Sequence, residues 1–547
     1  MGERRNRVRL CRLGGVVAAL FLVLLSMPAA AEAPYPPGIS AATIRTATLG
    51  AATVAAGGAH SCAVTSLGDL YCWGDDSSGQ LGDGREPHGF GTPVRALRGA
   101  VQVDAGKAHT CAIDLRGAAS CWGDDSAGQL GDGAETDQDS PVKVTGLSGR
   151  TLVEITTGAR HSCAIDDEGA AWCWGDGSRG QLGAPGVRGS KTPVRVSTGS
   201  GMSDPVVDIS AGRDATCATT AGGTAFCWGS DAYEQLGTAG HGDRDEPMAV
   251  AADGPMRGKI REVGVGGMQA CAIDADGLAF CWGTHALGSG TVKPKVEPVA
   301  VGVTGTLSTI TAGGEHTCGL DGRGQAFCWG EGAGGASRRA VPVGVRTASA
   351  LRDLDAGDEH SCAFDTRGVV VCWGAGADGQ LGTGSTSAAA VPVEVKGLPR
   401  PPAAPEGVQV RALDGGLRVF WRPPADMGSG EFLYFWATTA DYGSTCTLAV
   451  ATADGCELVD LENGRQYDVA VVVRTRDGIT VSDLVTAAPA AVAPLPSDTP
   501  EPRRMAVSVL PGAGGGLPVT GLSPIALTAI GTLLLGGGLA ALLVRKR

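Results

Sequence analysis

The chain has 547 residues, 18% charged and only 5% aromatic, with 87 glycines, 17 cysteines and a formal charge of −13. That length exceeds one ordinary core, and the acidity argues against a phosphate backbone as partner, the more so because the two ends are basic and leave the segment between them at about −20.

Residues 1–31 read as a secretory signal. Five arginines precede an apolar run, Leu13 to Met27, that ends in Ala29-Ala30-Ala31. Cleavage is expected after Ala31, since a cut after Ala33 would leave Pro34 at the new terminus. The run is short for a membrane span, and Cys11 precedes it, which does not place it as a lipoprotein cysteine. In residues 32–52, Pro34 to Pro37 should be extended, and Ile44 to Leu49 could be a strand.

Residues 53–397 are a repeat array. Seven cysteine pairs, each ten residues apart, mark it: Cys62 with Cys72, Cys111 with Cys121, Cys163 with Cys173, Cys217 with Cys227, Cys271 with Cys281, Cys318 with Cys328 and Cys362 with Cys372. Every second cysteine is followed by Trp-Gly, and a glycine stands six places after every first one, as at Gly68 and Gly117. If the two cysteines face each other in an antiparallel hairpin, a three-residue loop remains with glycine third. That loop is a type I turn closed by a left-handed residue, the conformation glycine adopts at least cost. Counting outward from the turn puts the cysteines at a non-hydrogen-bonded pair, about 4.5 Å apart between Cα atoms, within reach of a disulfide. Seven cross-strand disulfides are therefore expected, as suits an exported chain. No Cys-x-x-Cys occurs, which disfavours zinc.

Each full unit opens with Ala-Gly-x-x-His-[Ser/Thr]-Cys, passes through the hairpin to Trp-Gly, and continues with Gly-Gln-Leu-Gly and a Pro-Val strand; the second unit shows all of it, from Ala105 to Val142. The first cysteines are 49, 52, 54, 54, 47 and 44 residues apart. Units of that length with several short strands fit propeller blades better than solenoid coils, and seven suit a closed ring without exposed edges. These units resemble the repeats of the regulator of chromosome condensation family, which implies a seven-bladed β-propeller. The fifth and sixth units lack the Gln-Leu turn, and Ala215 and Gln269 replace the histidine in the fourth and fifth. A strand from residues 40–52 could complete the last blade and close the ring.

Residues 398–404 read as a stiff Pro-rich linker. Residues 405–490 then alternate apolar positions, as in Leu417-Val419-Trp421 and Val469-Val471-Val473. Leu461 to Tyr467 resembles the fibronectin type III pattern around its tyrosine corner, and Trp421 before Pro423-Pro424 matches that family's core tryptophan. One β-sandwich is expected here, with Cys446–Cys456 as a local staple. Residues 491–516, rich in Pro, Gly and Ala, form a stalk that would reach about 80 Å as polyproline II. The tail carries Leu517-Pro518-Val519-Thr520-Gly521, then an apolar segment over 522–544 long enough to span a bilayer as a helix, then Arg545-Lys546-Arg547. That order resembles the sorting signal of Gram-positive surface proteins, which implies that a sortase cuts after Thr520 and joins it to peptidoglycan.

Candidates for chemistry are few. His60, His109, His161, His316 and His360 share one position, where a ring of metal or anion ligands is conceivable; the reading adopted is structural, each histidine bonding within its own blade. Asp75-Asp76 with Asp83, and Asp124-Asp125 with Asp132, lack calcium-loop spacing and read as turns. No nucleophile elbow, metalloprotease helix, phosphate loop or unpaired nucleophilic cysteine is present, so no catalytic, cofactor or metal residue is assigned, and the chain is read as a non-enzyme. The recurring tryptophans, Trp73 to Trp373, read as packing, with Trp172 the extra one that could be exposed.

The function expected is that of a wall-anchored surface protein displaying a propeller to bind a protein, wall polymer or host ligand. Its contact loops would be the insertions 82–93, 131–141, 183–193 and 237–247, because loops on rigid scaffolds carry function. The alternatives are a secreted protein inhibitor, or nucleotide exchange on a small GTPase, which the resemblance implies but an exported protein would not meet. A wall-polymer hydrolase would need a carboxylate pair that the sequence does not display.

Overall fold

The cysteine hairpins form as the spacing requires. In the second, Asp114 N–H donates to Ala118 O at 3.0 Å and Gly117 N–H to Asp114 O at 2.9 Å, which closes a three-residue loop. The seven loop glycines have φ between 74° and 84°.

In every blade the two cysteines stand directly opposite each other and are bridged. Cys62 faces Cys72, Cys111 faces Cys121, Cys163 faces Cys173 and Cys217 faces Cys227. Likewise Cys271 faces Cys281, Cys318 faces Cys328 and Cys362 faces Cys372. One expectation is corrected at all seven pairs. The Cα atoms of Cys62 and Cys72, and of each later pair, lie 4.0 to 4.1 Å apart. That is closer than the roughly 4.5 Å of an unbridged pair at this ladder position, because a covalent link between directly opposed residues draws the strands together. Closing loops of this length contributes roughly 2.8 kcal/mol each in the chain-entropy account.

The structure, a computed structural model, describes residues 53–491 apart from 86–90, 200, 239, 252–255, 257, 285–286, 333–338 and 441–442. The expected signal and Ala31, the segment 32–52, the stalk from 492, the sorting motif Leu517–Gly521 and the 522–544 span lie outside the described residues. Each hairpin gains a strand on either side, giving seven four-stranded antiparallel sheets, each contiguous in sequence, from Val54–Arg98 through Leu351–Glu394. The first strands of successive blades touch all the way round, the seventh blade meeting the first. The last blade already holds four strands of its own, so no strand from residues 40–52 is needed to complete it. The ring closes through contacts between blades instead.

Those contacts explain the repeat. The tryptophan after each second cysteine is fully buried, and it packs into the preceding blade's core: Trp122 against Leu70 and Leu81, Trp73 against Phe364 and Leu381. Burying roughly 200 Å² of indole contributes on the order of 5 kcal/mol per seam.

A second body follows, two sheets of three and five strands between Glu406 and Ala487. Trp421, Phe435, Tyr467 and the Val469-Val471-Val473 ladder fill its core. Glu462 N–H donates to Tyr467 Oη at 3.1 Å, the corner that Leu461 to Tyr467 announced. Cys446 and Cys456 lie on edge strands of different sheets, so their bridge ties the two sheets together at their edges rather than stapling one hairpin.

Residues 398–404 are not a free linker. Pro401 packs so closely that a Cβ on Gly368 of blade seven, or on Gly478 of the sandwich, would stand within 3.0 Å of it. Thr480 Oγ1 donates to Pro402 O at 2.6 Å, and Ile479 N–H to Ser66 Oγ of blade one at 3.3 Å. Leu67 joins Trp436, Val472 and Ile479 in a small shared cluster. Three prolines in seven residues suit such a strap, since their extended backbone is fixed before it packs.

Candidate functional site

In a four-stranded antiparallel blade, successive connections alternate between the two faces of the ring. The cysteine hairpins therefore lie on one face. The Ala-Gly-x-x-His turns and the long connections before the fourth strands lie on the other.

On that second face the turns form a closed belt around the axis. Gly58 N–H donates to Gly106 O, Lys107 to Gly158 O, Ala159 to Arg213 O, Arg213 to Gly266 O, Gly267 to Gly313 O, Gly314 to Gly357 O, and Asp358 back to Gly57 O, at 3.0 to 3.4 Å. The first glycine of each turn is obligatory, because a Cβ there would stand well under 3.0 Å from the next blade's carbonyl oxygen. The belt frames an axial opening of about 70 Å³.

Beneath it the histidines act between blades, which corrects the expectation that each bonds within its own. His109 Nε2 lies 3.0 Å from Ser162 Oγ in the next blade, and Ser162 Oγ donates to Gln129 O at 2.9 Å. A hydroxyl has one proton. Since the carbonyl can only accept, the serine must accept from the imidazole, so Nε2 carries the hydrogen and Nδ1 is bare. His60–Thr110 and His161–Thr216 repeat this at 2.9 Å, and His360–Ser61 closes the ring at 2.7 Å. The same Gln129 carbonyl accepts from Trp174 Nε1 at 2.9 Å. Burial pushes the five imidazoles down to about 3 or 4 and keeps them neutral.

The departures from the repeat compensate one another. Where Ala215 replaces histidine, the next blade presents Ala270 in place of the hydroxyl, so neither polar group is left unmatched. Gln269 reaches instead for Gly313 O and His316 O, at 3.2 and 3.0 Å. The two blades without Gln-Leu leave Trp329 and Trp373 Nε1 with no acceptor among the described residues.

The acidic turns are occupied by the fold. Asp124 accepts from Gln129 Nε2 at 2.6 Å, Asp125 from Leu130 N–H at 2.9 Å, and Asp75 from Gln80 Nε2 at 2.8 Å. Among the described residues no group of three His, Cys, Asp or Glu is disposed to hold a metal ion. Trp172 is half-buried rather than exposed, its Nε1 donating to Asp166 at 3.0 Å and its ring 4.8 Å from the Arg150 guanidinium carbon.

A second polar set was missed in the sequence. Asp104, Glu154, Asp208, Glu262, Asp353 and Asp355 project from the innermost strands and accept edge N–H groups of the adjoining blade: Thr157 at 2.6 Å, Ile209 at 3.3 Å, Val263 at 2.7 Å, Ile310 at 2.8 Å, Val54 at 2.7 Å and Ala56 at 2.8 Å. They pair edges that would otherwise stay open. Desolvation raises all six, Asp104, Asp208 and Asp353 to about 7, and the field of neighbouring carboxylates adds to it at Asp104, Glu154, Asp208 and Asp353. The signal was present, as polar residues one and three places before the last residue of five of the seven innermost strands (as in Gln102-x-Asp104, Glu154-x-Thr156 and Asp353-x-Asp355).

The four expected contact loops lie on the belt face, and the first three lean on the next blade: Gly84 N–H donates to Asp139 O, Glu135 pairs with Lys191 at 3.3 Å, and Gly186 N–H donates to Asp245 at 3.1 Å. Arg179 also pairs with Asp243 of the fourth loop at 3.2 Å. Inside this collar the mouth is bipolar. Lys107, Arg160 and Arg213 stand exposed on blades two to four, opposite Glu315, Asp358 and Glu359 on blades six and seven. The sandwich and strap occupy the other face, at Ser66, Leu67 and Gly368. Among the described residues the sandwich and strap do not reach the belt face, and the narrow axial opening admits little beyond water.

Comparison with known proteins agrees with this architecture. Models of the regulator of chromosome condensation (RCC1) repeat match residues 51–80, 100–129, 152–181, 206–235 and 352–380, and in a second form 68–113, 117–165, 168–219 and 367–405. The chain is similar to the mitochondrial RCC1 domain-containing protein RUG3 of Arabidopsis thaliana, 34% identical over 197 residues that cover 34% of this chain and 44% of that protein. It is 29% identical to the ultraviolet-B receptor UVR8 of the same plant, over 45% of this chain and 56% of that one. To the human E3 ubiquitin-protein ligase HERC2 it is 31% identical, over 45% of this chain but 4% of that protein. The chain thus spans at most a little over half of these relatives. Human WBSCR16 shares the fold at 22% identity and a TM-score of 0.53, covering 57% of this chain and 87% of that one. Yeast Prp20p (Saccharomyces cerevisiae) does so at 21% and 0.50, covering 57% and 81%. The chain therefore carries RCC1 repeats in an RCC1-like propeller.

Proposed function

We propose that this chain is a secreted surface protein, anchored by a sortase through Thr520 to a Gram-positive cell wall, that presents the belt face of its propeller to bind another protein or a surface polymer. The observation that carries this reading is the placement of the sandwich. It packs on the hairpin face at blades one and seven, and among the described residues it leaves the collar of long loops and the bipolar mouth uncovered. Propellers of this repeat type typically bind proteins, and yeast Prp20p has been studied for its binding to Gsp1p and histones. The two-sheet sandwich and the Tyr467 corner support reading this body as a fibronectin type III domain.

Two experiments test the reading. Replacing Thr520 with alanine should move the protein from the wall fraction to the medium or membrane; unchanged wall attachment refutes sortase anchoring. The mature, disulfide-intact chain, immobilised and exposed to secreted proteins, wall polymers and host matrix proteins, should retain a saturable ligand. Charge reversal at Lys107, Arg160 and Arg213 together should weaken its capture and flatten its salt dependence. Capture unaffected by that variant and by alanine substitution in the four loops refutes the belt face as the site.

A further inference from the structure

A cavity of about 260 Å³ opens between blade seven, the proline strap and the sandwich. Its polar wall carries Arg352, Arg367 and Arg400, and its apolar wall Val369, Pro401 and Ile479. Two of the arginines are committed, Arg367 to Asp365 at 2.7 Å and Arg400 to Asp426 at 3.6 Å. Arg352 is not. Its Nε donates to Asp365 O at 3.3 Å and its guanidinium carbon lies 5.1 Å from the centre of the Phe364 ring, but no carboxylate of the described residues lies within 4.0 Å of it.

We propose that this cavity is a binding site for a small organic anion, whose single carboxylate or phosphate group pairs with the Arg352 guanidinium while a short, partly apolar body lies on Val369, Pro401 and Ile479. Four features define the ligand. The volume falls just below the roughly 300–1,000 Å³ usual for drug-sized ligands, which selects a small one. The Arg352 fork matches a planar or tetrahedral oxyanion, and the aromatic ring behind it fixes its plane. Asp426 in the wall and Glu394 at an adjoining recess disfavour a polyanion. The protein as a whole is acidic, so an uncommitted guanidinium in a crevice is a local exception that draws an anion to this place. Because the walls come from both bodies, an occupied cavity also stiffens the joint between them.

The test is calorimetry on the intact mature chain at low ionic strength, with butyrate and glycerol phosphate as probes and butyramide as the neutral control. At least one anion should bind saturably and butyramide should not. Arg352→Gln should weaken that binding at least about tenfold, and Arg352→Lys, which keeps the charge without the fork, should fall between. Arg367→Gln supplies a second reading should Arg352→Gln fail to fold, and should also weaken the anion by narrowing the cationic wall. Saturable binding of neither anion, equal binding of butyramide, or native affinity in the Arg352 variants would overturn the proposal. None of these outcomes depends on what the belt face binds.

Discussion

The interblade histidines make a pH-dependent prediction that can be worked through. His109 is enclosed, donates through Nε2 to Ser162, and is held neutral by burial with its pKa lowered to about 3. In the unfolded chain it titrates near 6.5. As pH falls from 7.5 to 5.0 the unfolded state gains nearly one proton that the folded state refuses, so stability falls with pH, by about 2 kcal/mol for this one group. Any folded value below about 4 gives the same figure, because the group is then unprotonated in the fold across the whole window. Replacement by glutamine removes the titration and supplies a side chain this position accepts elsewhere in the ring, at Gln269. His109→Gln should therefore be less stable than the parent at pH 7.5 and close the gap by about 2 kcal/mol at pH 5.0. Urea unfolding at both pH values, at constant ionic strength and followed through the buried tryptophans, measures this. A stability difference that does not change between the two pH values would refute the neutral, interblade role.

The inner carboxylates act in the opposite direction: a raised pKa stabilises below the ordinary carboxylate range and loses that contribution as pH climbs to about 7. Asp208→Asn, which keeps an oxygen for Val263 N–H, should accordingly gain on the parent, by upward of about 1 kcal/mol more at pH 8 than at pH 5; a loss at pH 8 would show that the charge itself is needed. Gly158→Ala places a Cβ against Gly212 O in the belt and should cost about 1–3 kcal/mol, read as a lowered urea midpoint, whereas the same change at Gly149, which has open space around it, is strained only through its φ of 83°. Complete reduction of the seven blade disulfides should lower the thermal midpoint, and an unchanged midpoint would show that the tryptophan seams suffice. Tyr467→Phe should cost about 1 kcal/mol in the sandwich through the lost Glu462 N–H bond, with the propeller transition unmoved.

The seven hairpins, their disulfides and the core of the sandwich were legible in the sequence because each rests on residues close in the chain. Ten-residue spacing, one left-handed glycine and alternating apolar positions suffice to place them, and the Leu461 to Tyr467 corner is similarly local. What the seams do was not legible. His60 meets Thr110 across 50 residues, and Ser61 meets His360 across 299, so a histidine that looks self-contained within its repeat acts on a hydroxyl in the next one. The paired loss at Ala215 and Ala270 makes sense only once the two are neighbours. The same holds for the belt glycines, whose necessity comes from a carbonyl one blade away, and for the inner carboxylates, whose partners are the edges of another sheet. The strap reads as a linker in sequence because proline content reports stiffness and not what lies against it. Local sequence thus determined the blades and their staples; closure of the ring, and which of its faces the sandwich packs on, were decided by packing between segments far apart in the chain.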